Sequence, residues 1–301
     1  MKAKQVFFPV LKLILLTIIL FFIYIIATSL AGISSPETNT NSAKAGQDAM
    51  IMLAVCFLQT VVIAYPILRS RWTGWRLVLT IFVVFYGVST FLSQIESIVF
   101  LKYLVNIIPE GLIGKLFIEG LIIAGLFAPL AVLILGKMRR PKYQDNLSET
   151  GPRLPEAWPQ WLWRLVLIAI IYIIIYISFG FFVAWQSPAV REYYTNLQMP
   201  SWILPFQFLR GLIWAGLAVP VIAMMKGKKW EATLAVALIF SVLMGILLLF
   251  PDNPIMPDAV RMAHFKEIMS SNFLFGCLVV LILHPGSKDS KSRNIKTLGM
   301  N

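Results

Sequence analysis

Two glutamates lie inside long apolar segments of this 301-residue chain, where a charged side chain is costly. Glu119 lies seven residues into its segment, about 10 Å deep at ~1.5 Å per helical residue, and Glu267 lies at a similar depth in a later segment. Insertion of a charge at mid-membrane costs roughly 2.5–3.5 kcal/mol. A buried carboxylate binds cations or exchanges protons, so both residues are candidates for a binding or proton-coupling site.

Further polar side chains fall on the same, extracytoplasmic side of the predicted membrane. His264 precedes Glu267 by three residues, so the two share one helix face and form a candidate acid–base pair. Four more residues complete the candidate polar site: Gln94, Glu96, Asp252 and Arg261.

A structural alternative stands beside each of these assignments. Lys115 lies four residues before Glu119, and His264 lies three before Glu267, so each glutamate has a partner that would neutralise it within its own helix. Charges near helix ends also extend to the membrane surface. For Glu96, Asp252 and Arg261, a solvated or helix-capping role is therefore the alternative.

Other chemistries lack a motif in this sequence. It contains no glycine-rich phosphate-binding loop and no G-x-S-x-G or S-x-x-K spacing for a serine nucleophile. Cys56 and Cys277 are too few for a disulfide framework or a zinc site. The two histidines, His264 and His284, fall at opposite membrane faces. The sequence therefore predicts no metal and no cofactor.

The elements that must hold these residues are membrane-spanning helices. Fifty-eight per cent of the residues are apolar and 13% are charged, with a mean hydropathy of +0.79, which is far from a soluble protein. We predict an all-α polytopic bundle of about eight spans, the third long enough to tilt or to break near Ser93-Gln94. The spans lie near residues 7–33, 49–68, 75–101, 112–137, 161–185, 206–225, 230–250 and 262–284.

The basic residues indicate the orientation of the chain. The net charge of +12 lies in short runs at the ends of apolar segments, rather than on one folded face as nucleic-acid binding requires. If Met1 is cytoplasmic, nineteen of the 26 lysines and arginines lie on the cytoplasmic side and seven on the other. Positive residues favour the cytoplasm, so we predict that both termini are cytoplasmic.

The sequence also indicates an internal duplication. A shift of 152 residues places Lys12 on Arg164 and Tyr24 on Tyr176, and a shift of 148 places Glu119 on Glu267. Since four spans per half is an even number, the two halves would have the same orientation, as a parallel 4+4 repeat.

The predicted domain boundaries follow from this repeat. The first four-helix unit covers 1–138 and the second covers 161–287. The polar, proline-containing segment 139–160 is a cytoplasmic linker, and 288–301 is a basic cytoplasmic tail.

One stretch of the second half resembles known sequences. It runs from Met256-Pro257-Asp258 through Val260-Arg261, His264 and Glu267 to Ser270-Ser271-Asn272 and Gly276. With Arg210-Gly211-Leu-Ile-Trp214, it resembles an uncharacterised group of bacterial multi-span membrane proteins. The resemblance implies a bacterial inner membrane and no activity.

Three functions remain open from the sequence. The first, which we favour, is a small-solute or ion transporter or permease component that uses Glu119 and Glu267. The second is a membrane-embedded enzyme acting on a lipid or lipid-linked substrate near the outer leaflet, with His264 and Glu267 as its acid–base pair. The third is a non-catalytic membrane partner. The predicted partners are therefore the bilayer and a small solute, ion or lipid, while the sequence does not decide the oligomeric state.

Overall fold

A computed structural model describes residues 2–33, 42–100, 108–139, 154–155, 157–195, 197–252 and 256–284. Within these ranges, eight helices are long and apolar enough to cross a membrane. They are α1 Pro9–Leu30, α2 Lys44–Leu68, α3 Gly74–Phe100, α4 Leu112–Ile134, α5 Trp158–Ala184, α6 Ile203–Met224, α7 Lys229–Leu249 and α8 Asp258–Leu283. The predicted all-α polytopic bundle is confirmed.

Some helix boundaries differ from those that hydropathy predicts. The membrane-crossing part of α2 begins at Lys44 rather than near 49, and α8 begins at Asp258 rather than near 262. Polar residues at these ends stay helical because helical backbone hydrogen bonds also form in water beyond the hydrocarbon. α5 begins at Trp158, inside the segment predicted as a linker. Residues 140–153 and 156 of that linker, and the basic tail 288–301, lie outside the described residues.

α3 stays continuous where the sequence suggested a break. Its hydrogen bonds change to a π turn over Gly87–Phe91, just before Ser93-Gln94. α7 has a π turn over Ile239–Leu243, and α5 ends with one over Gly180–Ala184. π turns are frequent at functional sites, because they change the face that a helix presents.

The helices pack in the same order in each half of the chain. α1 packs against α2 and α4, and α3 packs against α4. Likewise α5 packs against α6 and α8, and α7 packs against α8. Between the halves, α3 contacts α6 and α7, and α2 contacts α7. These four inner helices enclose the largest part of the apolar core.

Several contacts recur at positions that the repeat would equate. Lys12 Nζ lies close to Gly136 at the end of α4, and Arg164 Nη1 lies 3.4 Å from Leu283 O at the end of α8. The π turns of α3 and α7 begin 152 residues apart. The duplication remains a prediction, which superposition of residues 7–137 on 161–284 tests.

The two ends of the bundle differ in charge. We call one the basic end; its charged residues include Arg69, Arg71, Lys137, Lys226 and Lys229. We call the other the acidic end; its charged residues include Glu96, Glu110, Asp252 and Asp258, together with Lys115, Arg210 and Arg261. Between them, apolar side chains such as Ile18, Phe22 and Ile25 of α1 are exposed, as a lipid-facing surface requires. Exposed Trp75, Trp158 and Trp230 lie at the basic end and exposed Trp202 lies at the other, as expected where the ends of the bundle meet the membrane interfaces.

Close packing of α7 on α8 depends on Gly276. A Cβ atom at this position would lie 2.6 Å from Ala237 Cα, which is backbone and has no room to move aside. We expect Gly276→Ala to destabilise the bundle by about 1–3 kcal/mol, because the two helices must separate. Thermal unfolding in detergent measures the change.

The matched control for this prediction is Gly216→Ala in α6. A Cβ atom there meets no atom within 4 Å, so its melting temperature should be unchanged or slightly raised. Equal losses at both positions would contradict the packing argument.

Candidate functional site

Glu119 faces α1 rather than the lysine of its own helix. Its Oε1 lies 2.5 Å from Thr28 Oγ1, and Thr28 Oγ1 also lies 2.9 Å from Tyr24 O. Lys115 Nζ instead donates a hydrogen bond to Gly32 O at 2.7 Å. Among the described residues, Glu119 has no ion pair within 4.0 Å. Neutralisation of Glu119 by Lys115, the structural alternative from the sequence, is therefore wrong.

Glu267 pairs with the histidine that the sequence assigned to it. His264 Nδ1 lies 2.8 Å from Glu267 Oε2, and both side chains are less than one-fifth exposed. The other ring nitrogen, Nε2, is buried and has no hydrogen-bond partner among the described residues. The carboxylate orients the imidazole ring, so this pair has the geometry of a proton acceptor and its orienting group.

The two glutamates face corresponding positions of the helices they pack on. Glu119 contacts Thr28 of α1, and a Cβ atom at Gly180 of α5 would lie 3.6 Å from Glu267 Oε1. Positions 28 and 180 are 152 residues apart, which is the shift that the repeat gives for these helices.

Tyr194 packs on the pair from the loop between α5 and α6. This residue follows the short helix Pro188–Tyr193, and its ring lies edge-on to His264 with 5.6 Å between centroids. Burial raises the pKa of the Tyr194 hydroxyl above its ordinary value, and the negative charges of Glu267 and Glu96 act in the same direction. The hydroxyl therefore keeps its proton at neutral pH and remains a hydrogen-bond donor.

Glu96 leads to a residue that the sequence did not assign to the site. Its Oε2 lies 2.7 Å from Nη2 of Arg210 in α6, whose side chain is only 2% exposed. Arg210 also donates hydrogen bonds to Leu92 O at 3.1 Å and to Gln207 Oε1 at 3.4 Å, and it lies over the Tyr172 ring. This ion pair joins the two halves of the chain within the membrane.

Arg261 stabilises the end of α7 and is not directed at the glutamates. Its Nη1 donates to the carbonyl oxygens of Phe250 and Pro251 at 2.8 and 2.7 Å, which satisfies acceptors left free at a helix terminus. Its Nη2 binds Asp252 at 2.6 Å and Asp258 at 2.5 Å. The capping alternative from the sequence therefore describes Arg261 and Asp252.

Gln94 is buried, and its amide nitrogen lies 3.3 Å from Ser93 Oγ. The structure thus separates the seven candidates. Glu119 of α4 contacts α1, His264 pairs with Glu267, Glu96 pairs with Arg210, Arg261 binds Asp252, and Gln94 is buried beside Ser93. The Tyr176 ring lies 6.4 Å from the ring of Tyr172, which itself lies beside the Arg210 guanidinium.

No protein-family model, curated protein or solved structure matches this chain. The function must therefore be inferred from its own residues. Within the described part of the chain, no three histidine, cysteine or carboxylate side chains are placed to hold a metal ion. Among the described residues, the acidic end carries carboxylates, an imidazole and guanidinium groups, which can exchange protons and form hydrogen bonds.

Arg210 could have been found from the sequence. It lies seven residues into α6, about 10 Å deep at ~1.5 Å per residue, which is the depth that identified Glu119. A charge at that depth needs a partner, which is the signal that marks Arg210 in the sequence. Thr28 carried no such signal, because a threonine in an apolar helix is unremarkable without knowledge of its neighbour.

Proposed function

We propose that this multi-pass membrane protein is a transporter of a small solute or ion, whose two halves move relative to each other. In this proposal it lies in a bacterial inner membrane with both termini in the cytoplasm. Glu119 and Glu267 serve as related proton- or cation-exchanging groups, one in each half. The observation that carries the proposal is that one ion pair joins the halves at the basic end of the bundle and another joins them towards the acidic end.

At the basic end, the loop after α2 pairs with the loop after α6. Arg71 N donates to Met224 O at 2.8 Å, and Lys226 N donates to Arg69 O at 2.9 Å. Arg69 Nη2 binds Glu231 Oε1 at 2.5 Å, which adds an ion pair between the halves. Gly227 permits this arrangement, because its positive φ of 92° suits glycine and a side chain there would collide with the Glu231 carboxylate.

Towards the acidic end, the joining pair is Glu96–Arg210. It differs from Arg69–Glu231 in burial: Arg69 is 45% exposed, whereas Arg210 is 2% exposed. A transporter that alternates between two openings must break contacts at one end while keeping those at the other. One ion pair across the same interface at each end supports this kind of motion, and the duplicated glutamates supply a coupling group to each half.

Breaking the pair at the basic end tests the proposed motion. Ser70 is 1% exposed and Ser93 is 7% exposed, so a single cysteine at either position reports opening of its own end. Each cysteine would be introduced separately, into a variant of the protein that lacks Cys56 and Cys277. We expect Glu231→Gln to raise the thiol-labelling rate at position 70 up to about fivefold, because an exposed pair is worth ~0.2–1 kcal/mol. The rate at position 93 should fall.

The control is the exchanged pair Arg69→Glu with Glu231→Arg, which should restore both labelling rates. Opposite changes at the two ends are the signature of a motion that couples them. Faster labelling at position 70 with no change at position 93 would mean local fraying, and would contradict the proposal.

A membrane-embedded enzyme is the second candidate. The His264–Glu267 pair favours it, because enzymes use an imidazole oriented by a carboxylate for proton transfer, and the His264 Nε2 has no partner among the described residues. The labelling experiment separates the two functions, since an enzyme with a site at one end needs no coupled opening of the other.

A further inference from the structure

We propose that the Glu96–Arg210 pair is the binding site for a monocarboxylate with an apolar body, which binds together with one proton. This inference rests on the proposed transport function and names its substrate class. In the bound state, the ligand carboxylate replaces Glu96 on the Arg210 guanidinium, and Glu96 takes up one proton that balances the charge of the ligand. This proton is additional to the protons or cations that Glu119 and Glu267 exchange in the proposed function.

The hydrogen bonding of Arg210 is incomplete in the present pairing. Glu96 contacts Nη2, and the neighbouring Nε is buried without a partner among the described residues. The Nε and Nη2 edge of a guanidinium matches the two oxygens of a carboxylate, so a ligand carboxylate would satisfy both nitrogens. Gln207 Nε2 is also buried and unpaired in the described part of the chain, on the same face of α6.

The burial of the two partners decides which one moves. Arg210 is 2% exposed, and hydrogen bonds to Leu92 O and Gln207 Oε1 hold it in place. Glu96 is 25% exposed and reaches the surface, so its side chain can turn outward and leave Arg210 open to a ligand.

Charge balance indicates both the ligand and the proton. The present pair is neutral, and a buried site remains neutral only if one arriving negative charge is matched by one proton on Glu96. A divalent anion such as hydrogen phosphate would leave an excess negative charge. A neutral amide would leave Arg210 without a counter-charge once Glu96 is protonated.

The surroundings favour a carboxylate with an apolar body. The Arg210 guanidinium lies 5.9 Å from the Tyr172 ring centroid, and the rings of Tyr172 and Trp214 are neighbours at 6.5 Å. Trp214 is fully buried and continues into the aromatic core with Phe240 and Phe275. In the proposal, the outward turn of the Glu96 side chain brings an apolar ligand body against these aromatic side chains.

Other charged groups near Glu96 are already engaged. On α4, Lys115 and Glu119 are directed at Gly32 and Thr28 of α1. At the end of α7, Asp252 is bound by Arg261.

Groups on α5, on α8 and in the loop remain within range of Glu96. The hydroxyls of Tyr172, Tyr176 and Tyr194 interact electrostatically with the Glu96 carboxylate. The Tyr194 hydroxyl also interacts with the carboxylate of Glu267, which is paired with His264. Glu267 is therefore the alternative acceptor of the proton.

Ligand-dependent unfolding of the full chain in detergent tests the proposal. Sodium benzoate is the probe, with benzamide, sodium chloride and sodium phosphate as comparators, at pH 5.5 and 7.5. We expect benzoate to raise the melting temperature and the three comparators to leave it unchanged. Its apparent affinity should fall by up to a hundredfold between the two pH values, because one proton is taken up per ligand.

Variants at the pair give the decisive result. Glu96→Gln should bind benzoate more tightly than the wild type at pH 7.5, and without dependence on pH. The double variant Glu96→Gln/Arg210→Met, which keeps the site neutral, should fold and lose binding. Equal effects of benzoate and benzamide, or no effect of benzoate, would overturn the proposal.

Retained pH dependence in Glu96→Gln, with its loss in Glu267→Gln, would also overturn it, by placing the proton on Glu267. Failure here is distinguishable from failure of the transport proposal. Ligand binding requires no opening of the basic end, and the cysteine-labelling experiment requires no ligand.

Discussion

Replacing Glu119 and Glu267 together with glutamine is expected to abolish function while leaving the amount of protein in the membrane unchanged. Glutamine keeps the size and hydrogen bonding of the side chain, so Thr28 and His264 retain a partner. It removes the only capacity that the proposal requires of these positions, which is to exchange a proton or bind a cation. The measurement is complementation of a deletion strain, scored together with membrane abundance.

The single variants show whether the two glutamates act independently. If each half carries an independent coupling group, Glu119→Gln and Glu267→Gln should each give a partial loss. Glu110→Gln is the matched control, because Glu110 is exposed before the first turn of α4. Full complementation by the double variant would show that these carboxylates are not the site.

The second large effect concerns stability, and burial determines its direction. Glu96→Gln should destabilise the protein by about 3–5 kcal/mol, because it leaves the 2% exposed Arg210 guanidinium with an uncompensated charge. Arg210→Met should cost less, since Glu96 is 25% exposed and can be rehydrated. The double variant Glu96→Gln/Arg210→Met should recover most of the loss. Chemical unfolding of all four proteins in detergent gives the coupling free energy.

The exposed pair at the basic end is the control for this cycle. Arg69→Met and Glu231→Gln remove a pair whose arginine is 45% exposed, so each should change stability by only ~0.2–1 kcal/mol. Similar costs for the two pairs, or a larger cost for Arg210→Met than for Glu96→Gln, would contradict the assignment of Arg210 as the buried partner.

The eight spans could be predicted because lipid leaves the backbone little choice. In hydrocarbon each amide must be hydrogen bonded within the protein, so a long apolar segment forms a helix whatever its neighbours are. The His264–Glu267 contact was predictable for a similar reason, since three residues along a helix fix the distance between two side chains. Both predictions depend on local geometry alone.

Contacts between helices were not predictable in this way. Lys115 has the right spacing to neutralise Glu119, yet it hydrogen bonds to Gly32 O while Glu119 faces Thr28, because α1 packs on this side of α4. The Glu96–Arg210 pair joins residues 114 positions apart in different halves. The repeat could not reveal it either, because only one half contributes the arginine. Such pairs are determined by the arrangement of the helices in three dimensions.

The π turn at Gly87–Phe91 also sets the direction of the residues that follow it in α3. A π turn holds one residue more than the α-helical turn it replaces, and one residue corresponds to about 100° of rotation around a helix with ~3.6 residues per turn. Loss of a single residue from this turn would therefore rotate Glu96 away from Arg210 while barely shortening the span. In this protein, the deletion of one codon would therefore change which side chains meet in the membrane, although every one of those side chains would keep its chemical identity.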